Sequence, residues 1–185
     1  DEGIGFYIIL SGKVKVFKLS PEGKEQIFHI LEAPEPFAEA AVFAGRHYPA
    51  SAQALAETMV LFFPRQKFLE LISLQPSLAL SMLALLSQRL RKLTTLVENL
   101  SLKEVPGRLA AYLLYLHERN GPSPVIELEA SRNQMAGLLG TIPETLSRIL
   151  KRMTDEKLIK ADARSISILN QQGLNELAEG VRRLA

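Results

Sequence analysis

No cysteine occurs in the 185 residues. That one absence excludes disulfides, thiolate zinc sites, a cysteine-ligated iron–sulfur cluster and a cysteine nucleophile. Histidine is scarce: His29, His47 and His117 are the only three, too scattered to suggest a catalytic centre. There is no glycine-rich phosphate loop, H-E-x-x-H or G-x-S-x-G motif, so an enzyme is not expected. No run of 18 apolar residues is found, and Asp1-Glu2-Gly3 shows no basic leader. The expectation is a soluble cytoplasmic protein with no membrane partner.

What is present is an ordinary globular composition, 47% apolar and 23% charged, which excludes disorder, collagen and a coiled-coil rod as descriptions of the whole chain. The length is awkward at roughly 150 residues per domain, being more than one average domain and less than two. A net charge of +2 conceals an asymmetry. Residues 1–64 carry five Lys or Arg against eight Asp or Glu, and residues 65–185 carry seventeen against twelve. A basic C-terminal part suits a nucleic-acid partner, although a solvated surface accounts for it equally well.

Periodicity divides the chain. Phe6 to Leu10, a Ser11-Gly12 turn, and Val14, Val16 and Leu19 alternating with Lys13, Lys15 and Lys18 read as strands. Pro21-Glu22-Gly23-Lys24 then turns the chain into a second hairpin arm, Gln26 to Leu31. Ala50 to Ala56 and Thr58 to Phe63 are further short strands, with Pro34, Pro36, Gly45 and Pro49 in the loops between them. Short strands with frequent turns suggest a roll or sandwich. From Pro64 the period becomes helical. A short helix around Phe68, Leu69 and Ile72 ends near Pro76, and no Gly or Pro interrupts Ser77 to Leu102.

Along that long helix Leu83, Leu86, Leu90, Leu93, Val97 and Leu100 are spaced 3, 4, 3, 4, 3, an a/d seam of the kind that pairs with a second helix. Burial within one chain would also explain it. Arg89, Arg91, Lys92 and Glu98 flank the narrow stripe and favour a homodimer. A second stripe of Leu78, Met82 and Leu85 is available to pack on the preceding strands. Pro106-Gly107 is expected to break the helix before another that covers Leu109 to Leu116 and ends at Asn120-Gly121-Pro122. A short strand at Val125 to Leu128, a strand pair turning at Ala163-Arg164 and a last helix from about Gln172 complete the outline.

Residues 131–153 have the grammar of a helix-turn-helix. Ser131 with Gln134 forms one capping box, and Thr141 with Glu144 is expected to form another ten residues later. Ala136 allows the helices to cross closely, and Gly140 suits a turn with positive φ. In the second helix Leu146, Ile149, Leu150 and Met153 form the buried stripe, which leaves Glu144, Ser147, Arg148 and Lys151 exposed. Arg bonds guanine O6 and N7, and Glu accepts from cytosine N4, so Glu144 and Arg148 can read neighbouring base pairs. The alternative is that Glu144 only caps and pairs with Arg148. Thr141, Thr145 and Lys151 are the further candidate DNA contacts.

These features resemble the Crp/Fnr family of bacterial transcription regulators over the whole chain. The residues that carry the resemblance are Phe6-Tyr7-Ile8-Ile9-Leu10-Ser11-Gly12-Lys13-Val14-Lys15-Val16, the Phe37-Ala38-Glu39 loop, the leucine-seamed helix and Pro143-Glu144-Thr145-Leu146-Ser147-Arg148. The resemblance implies an α+β protein: an effector-sensing β-roll like the cyclic-nucleotide-binding jelly roll (1–64), a short helix plus a long dimerisation helix (65–104), and a winged helix-turn-helix (105–185). Family members have residues before the strand that begins here at about Gly5, so the first strands of the roll are expected to lie outside this sequence. An E-x-x-S-R recognition helix is similar to the Fnr and Dnr type, which implies palindromic double-stranded DNA with TTGA-like half-sites. It also implies RNA polymerase as a partner.

The same resemblance places the effector pocket at Phe37, Glu39, Ser51, Leu93 and Thr94. Relatives that bind cyclic AMP have a Gly-Glu pair and an Arg-Ser or Arg-Thr pair on the cyclic phosphate. Here Ala38-Glu39 and Ala50-Ser51 stand in those places, and Arg46 lies in the loop. Without the bidentate cation a buried phosphate loses its strongest contact, so cyclic AMP is not expected. The Fnr cluster lacks its cysteines. Phe37-Ala38-Glu39-Ala40 and Leu100-Ser101-Leu102-Lys103 look like the Dnr-like or HcpR-like subgroup, which implies haem and nitric oxide, with His29 or His47 as the candidate haem ligand. A ligand-sensing module that regulates a partner protein without DNA readout is the other reading.

Overall fold

The computed structural model describes residues 2–44, 47–121, 123, 125–162 and 164–184. Gly45, Arg46, Pro122 and Ala163, which the sequence assigns to loops and turns, lie outside the described residues. The chain forms two compact units, residues 1–93 and 94–185, and the division falls inside the long helix.

In the first unit the alternating apolar runs become β1 (Gly5–Ser11), β2 (Lys13–Leu19) and β3 (Glu25–Glu32), followed by β4 (Pro36–Phe37), α1 (Glu39–Ala44), β5 (Ser51–Ala54) and β6 (Met59–Pro64). They pair antiparallel in two three-stranded sheets, β4-β1-β6 and β3-β2-β5. Gly12 makes the first turn at φ +87, where a Cβ would collide with the Glu57 carbonyl and Thr58; only glycine fits. Period two gives β1 two different faces. Ile9 and Tyr7 pack with Val14, Leu31 and Phe37 between the sheets. Phe6 and Ile8 pack on the other side with Val42 and Phe68. Phe68 belongs to α2 (Arg65–Leu74), and Met82 of α3 (Ser77–Leu102) joins the same cluster. Part of the second stripe therefore packs as its spacing predicts.

One irregularity interrupts the hairpin of β2 and β3. Val16 pairs with His29, and Phe17 with Ile27, so Phe28 is an extra residue in β3. Such a bulge turns consecutive side chains away from strict alternation.

The second unit comprises α4 (Val105–Arg119), β7 (Val125–Glu127), α5 (Arg132–Leu138), α6 (Pro143–Asp155), β8 (Ile159–Ala161), β9 (Ser165–Ile168) and α7 (Gln171–Ala178). Its sheet has the order β7-β9-β8. The break that the sequence suggests falls at Lys103 and Glu104, between α3 (Ser77–Leu102) and α4, and Pro106 and Gly107 come just after it. They lie in the first turn of α4, where the amide that proline lacks has no intrahelical partner anyway. Leu109, Leu113, Ile126, Met135, Leu146, Met153, Leu158, Ile159, Ile166 and Leu174 are all fully buried in one core. Each such side chain contributes about 1.5–3 kcal/mol through burial.

Leu146 is at 0% exposure between α6 and that core. Leu146→Ala is expected to lower the stability of the second unit by about 2–5 kcal/mol, measured as a reduced urea midpoint with an unchanged m-value. A midpoint within error of the parent would show that α6 does not depend on this contact.

Candidate functional site

Local chemistry fixes the helix pair of the second unit. Ser131 caps α5: its Oγ accepts from the Gln134 amide at 3.3 Å, and the Gln134 side chain accepts from the Ser131 amide at 2.7 Å. Gly140 turns the chain at φ +64, and the Thr141 amide bonds the Ala136 carbonyl at 2.9 Å. The second capping box does not form. Ile142 occupies the N-cap of α6 with no side-chain cap, because Pro143 takes the first helical position and pushes Thr141 one residue too far back. Thr141 thus belongs to the turn.

The faces of α6 divide as the spacing predicts. Leu146, Ile149, Leu150 and Met153 are buried, while Glu144, Ser147, Arg148 and Lys151 are exposed. Thr145 is half-buried and accepts a hydrogen bond from Arg148 Nη2 at 3.1 Å. Among the described residues Arg148 leans on Thr145 rather than on Glu144, so the intrahelical ion pair that would compete with base reading is not made and the carboxylate is exposed. Two arginines outside the expected set brace this surface. Arg132, the first residue of α5, donates from Nη2 to the Asp162 carbonyl in the β8–β9 turn at 3.0 Å, so the wing is tied to the helix-turn-helix. Arg108 donates from Nε to the Leu139 carbonyl and from Nη1 to the Lys103 carbonyl, both at 2.8 Å. Burial depresses its pKa below the usual arginine value.

The first unit holds a cavity of about 560 Å³ between β2, β3, the β4–α1 corner, β5 and the first part of α3. Val16, Leu31, Phe37, Leu86, Leu90 and Leu93 are among the apolar residues of its wall. The bulge at Phe28 lets both Phe28 and His29 reach it. Of the expected pocket residues, Phe37, Glu39, Ser51 and Leu93 line the cavity, and Thr94 does not. Thr94 falls one residue beyond Leu93 around the helix, a step that turns it to another face. His29 lines the wall, whereas His47 is exposed outside it. His29 is half-buried. Burial, and then the nearby Arg89 and Lys92, push its pKa below the ordinary histidine value against the pull of Glu39 and Glu35. Its imidazole is accordingly neutral near pH 7.

Arg89 departs most from expectation. Its position beside the seam suggests a solvated flank, yet its guanidinium reaches into the cavity and bonds both the Glu39 carboxylate and the Pro36 carbonyl. Glu39 is the buried charged residue of the described chain, at 5% exposure. The signal was available: Leu78, Met82, Leu85 and Arg89 continue the second stripe at spacings 4, 3, 4. Ala38, just before Glu39, sits at φ +65, a conformation costing an L-residue about 1–2 kcal/mol and the reason a glycine suits that place. The seam residues differ in exposure. Leu83, Leu90, Leu93 and Val97 are exposed, and Leu86 and Leu100 are half-buried. Leu86, Leu90 and Leu93 therefore lie both in the seam and on the cavity wall.

Glu39→Ala is expected to cost about 3–5 kcal/mol, since it leaves a buried guanidinium unpaired, whereas Glu39→Leu with Arg89→Met recovers most of the loss. Chemical denaturation of the three proteins decides it. A double variant no better than Glu39→Ala would mean that the pair itself, rather than the orphaned charge, sets the cost.

Comparison with known proteins agrees with this geometry. A cyclic nucleotide-binding domain model matches residues 1–75, and a Crp-like helix-turn-helix domain model matches residues 107–177. The Cyclic AMP receptor protein of Thermus thermophilus is 32% identical over 181 residues, covering 98% of this chain and 82% of that one. The Fumarate and nitrate reduction regulatory protein of Escherichia coli is 32% identical over 189 residues, covering 100% and 75%. Among solved structures, a CooA variant from Carboxydothermus hydrogenoformans superposes with a TM-score of 0.79 at 26% identity, over 94% of this chain and 78% of that one. FixK2 from Bradyrhizobium japonicum shares the fold, with a TM-score of 0.77 at 24% identity over 96% and 88%. No single helix among the described residues is long and apolar enough to cross a membrane.

Proposed function

The chain belongs to the Crp/Fnr family of DNA-binding transcription regulators, and from that premise we propose that it acts as a cytoplasmic homodimer reading a palindromic operator with TTGA-like half-sites. The observation that carries the reading is α6 itself. Its apolar stripe is wholly committed to the core, so its rotation is fixed and Glu144, Ser147, Arg148 and Lys151 are presented together. Arg148 bonds guanine O6 and N7, Glu144 accepts from the cytosine amino group, and Lys151 meets a phosphate. Thr145 orients Arg148 through its hydroxyl, which accepts from the guanidinium.

Dimerisation runs through Leu83, Leu86, Leu90, Leu93, Val97 and Leu100, and the exposure of Leu83, Leu90, Leu93 and Val97 in the single chain supports a partner helix at the seam. Two recognition helices about 34 Å apart then enter successive major grooves. An effector in the cavity works on the seam itself, because Leu86, Leu90 and Leu93 face both. Binding at one place biases the two-state dimer at the other, and the promoter-bound dimer in turn acts on RNA polymerase.

Arg148→Ala is expected to cost about 1–3 kcal/mol at one base pair of each half-site and to relax preference there, while Lys151→Ala weakens binding to all sequences alike and lowers the salt slope by about one. Titration across single-base operator variants at several salt concentrations checks both. Unchanged base preference in Arg148→Ala would remove the readout assignment, and DNA binding without any sequence preference would favour a sensor acting on a protein partner.

Cyclic AMP lies outside this reading. Ala50 stands where the phosphate-gripping arginine belongs, and the Arg89 guanidinium is already committed to Glu39 and Pro36. Haem fits better: the cavity is apolar, and a neutral imidazole, His29, reaches into it. Were haem bound, His29 would be the residue to hold its iron, and the group would supply a centre able to take nitric oxide. The Soret band of protein reconstituted with stoichiometric haem is expected to shift on ligation, and His29→Ala to abolish that shift. An identical spectrum in the variant excludes His29 as the ligand.

A further inference from the structure

The charges lining the β-roll cavity narrow the chemistry of its occupant, on the reading that this cavity holds the effector. Arg89 is satisfied within the protein by Glu39 and Pro36, so neither member of that pair is available to a ligand without breaking a buried ion pair. Lys18 is different. It lines the same cavity, is exposed at its rim, and has no carboxylate partner among the described residues. Ser51, paired opposite Phe17 across β2 and β5, lines the rim one residue from Lys18 in that register. The rim thus offers an ammonium and a hydroxyl. Behind it the wall is hydrocarbon and aromatic, with Phe28, Phe37, Leu90 and Leu93.

We propose that the cavity accepts an apolar organic acid, its carboxylate held by Lys18 and Ser51 at the rim and its aliphatic or aromatic body against Phe28, Phe37, Leu90 and Leu93. A polar body, such as a ribose and a base, would bury more hydroxyls and ring nitrogens than this largely apolar wall can receive, which is costly. A neutral hydrocarbon would leave the rim cation unused. A charge-assisted bond at the rim combined with an apolar body satisfies both ends. Haem, an apolar macrocycle carrying carboxylates, falls in the same class as a simple fatty acid, and the two are separable by experiment. Because Leu90 and Leu93 also belong to the seam, the body of the ligand presses on the surface through which a partner chain would pair.

Calorimetry on the full chain with sodium decanoate, 1-decanol, haem and cyclic AMP tests the proposal. Decanoate is expected to bind about tenfold more tightly than 1-decanol, the worth of one charge-assisted hydrogen bond. Lys18→Gln should bring decanoate down to the affinity of 1-decanol and leave 1-decanol unchanged; Lys18 is exposed, so folding is not at stake. Equal affinities of acid and alcohol in the parent overturn the proposal, as does absence of decanoate binding, or haem or cyclic AMP binding that is indifferent to Lys18→Gln. Operator binding by the same preparation separates the two levels. Sequence-specific DNA binding with no bound acid removes the ligand class and leaves the regulator, whereas Lys18-dependent acid binding without sequence preference does the reverse.

Discussion

The ion pair between Arg89 and Glu39 is the constraint around which the first unit is arranged. Two opposite charges almost out of water are tolerated only when their hydrogen-bonding groups are satisfied, and here the Pro36 carbonyl shares the guanidinium with the carboxylate. That geometry fixes α3 at one rotation and one height against the β4–α1 corner. Leu86 and Leu93 follow, because residues three and four positions from Arg89 share or adjoin its face, and Leu90 follows in turn, four positions from Leu86 and three from Leu93. The cavity wall is therefore a consequence of where one arginine is anchored.

The second unit depends chiefly on apolar burial. Leu146, Ile149, Leu150 and Met153 give α6 an apolar stripe that points into the core of α4, α5, α7 and the small sheet. The opposite face carries Glu144, Ser147, Arg148 and Lys151, all exposed. The braces are polar and peripheral: Arg132 ties the wing turn, and Arg108 closes the carbonyls at the ends of α5 and α3. Apolar burial sets the orientation of the exposed face of α6, and hydrogen bonds set the positions of what surrounds it.

Most of this was legible in the residues because it depends on local period and turn chemistry. The hairpin of β2 and β3, the glycine turn at Gly12, the uninterrupted α3 and both faces of α6 follow from spacing alone. Where expectation failed, a single residue overrode the pattern. Pro143 moved the start of α6 past Thr141, and Pro106 lies in the first turn of α4, so the break between the helices falls two residues earlier, at Lys103 and Glu104. Arg89 was hidden for a different reason. A charged residue on a helix is read as solvated, and its partner Glu39 lies fifty positions away on another element, a distance no periodicity reports. The reach of His29 into the cavity likewise needed the bulge at Phe28, which leaves no mark on the alternation of β3.

Sharing one wall between a cavity and a pairing seam has a thermodynamic consequence. If a second chain packs on Leu90 and Leu93, the side-chain positions it selects are also those that shape the cavity, and an occupant of the cavity selects among the same positions. Linkage makes the effect mutual: whatever the occupant adds to pairing, pairing adds to the occupant's affinity. The sign depends on whether both prefer the same side-chain arrangement, and the magnitude is bounded by the difference in contact each makes in the two arrangements. Interiors are close-packed and switch between discrete packings rather than deforming smoothly. Leu90 and Leu93 lie on α3, which runs without a break from the cavity wall to Leu102.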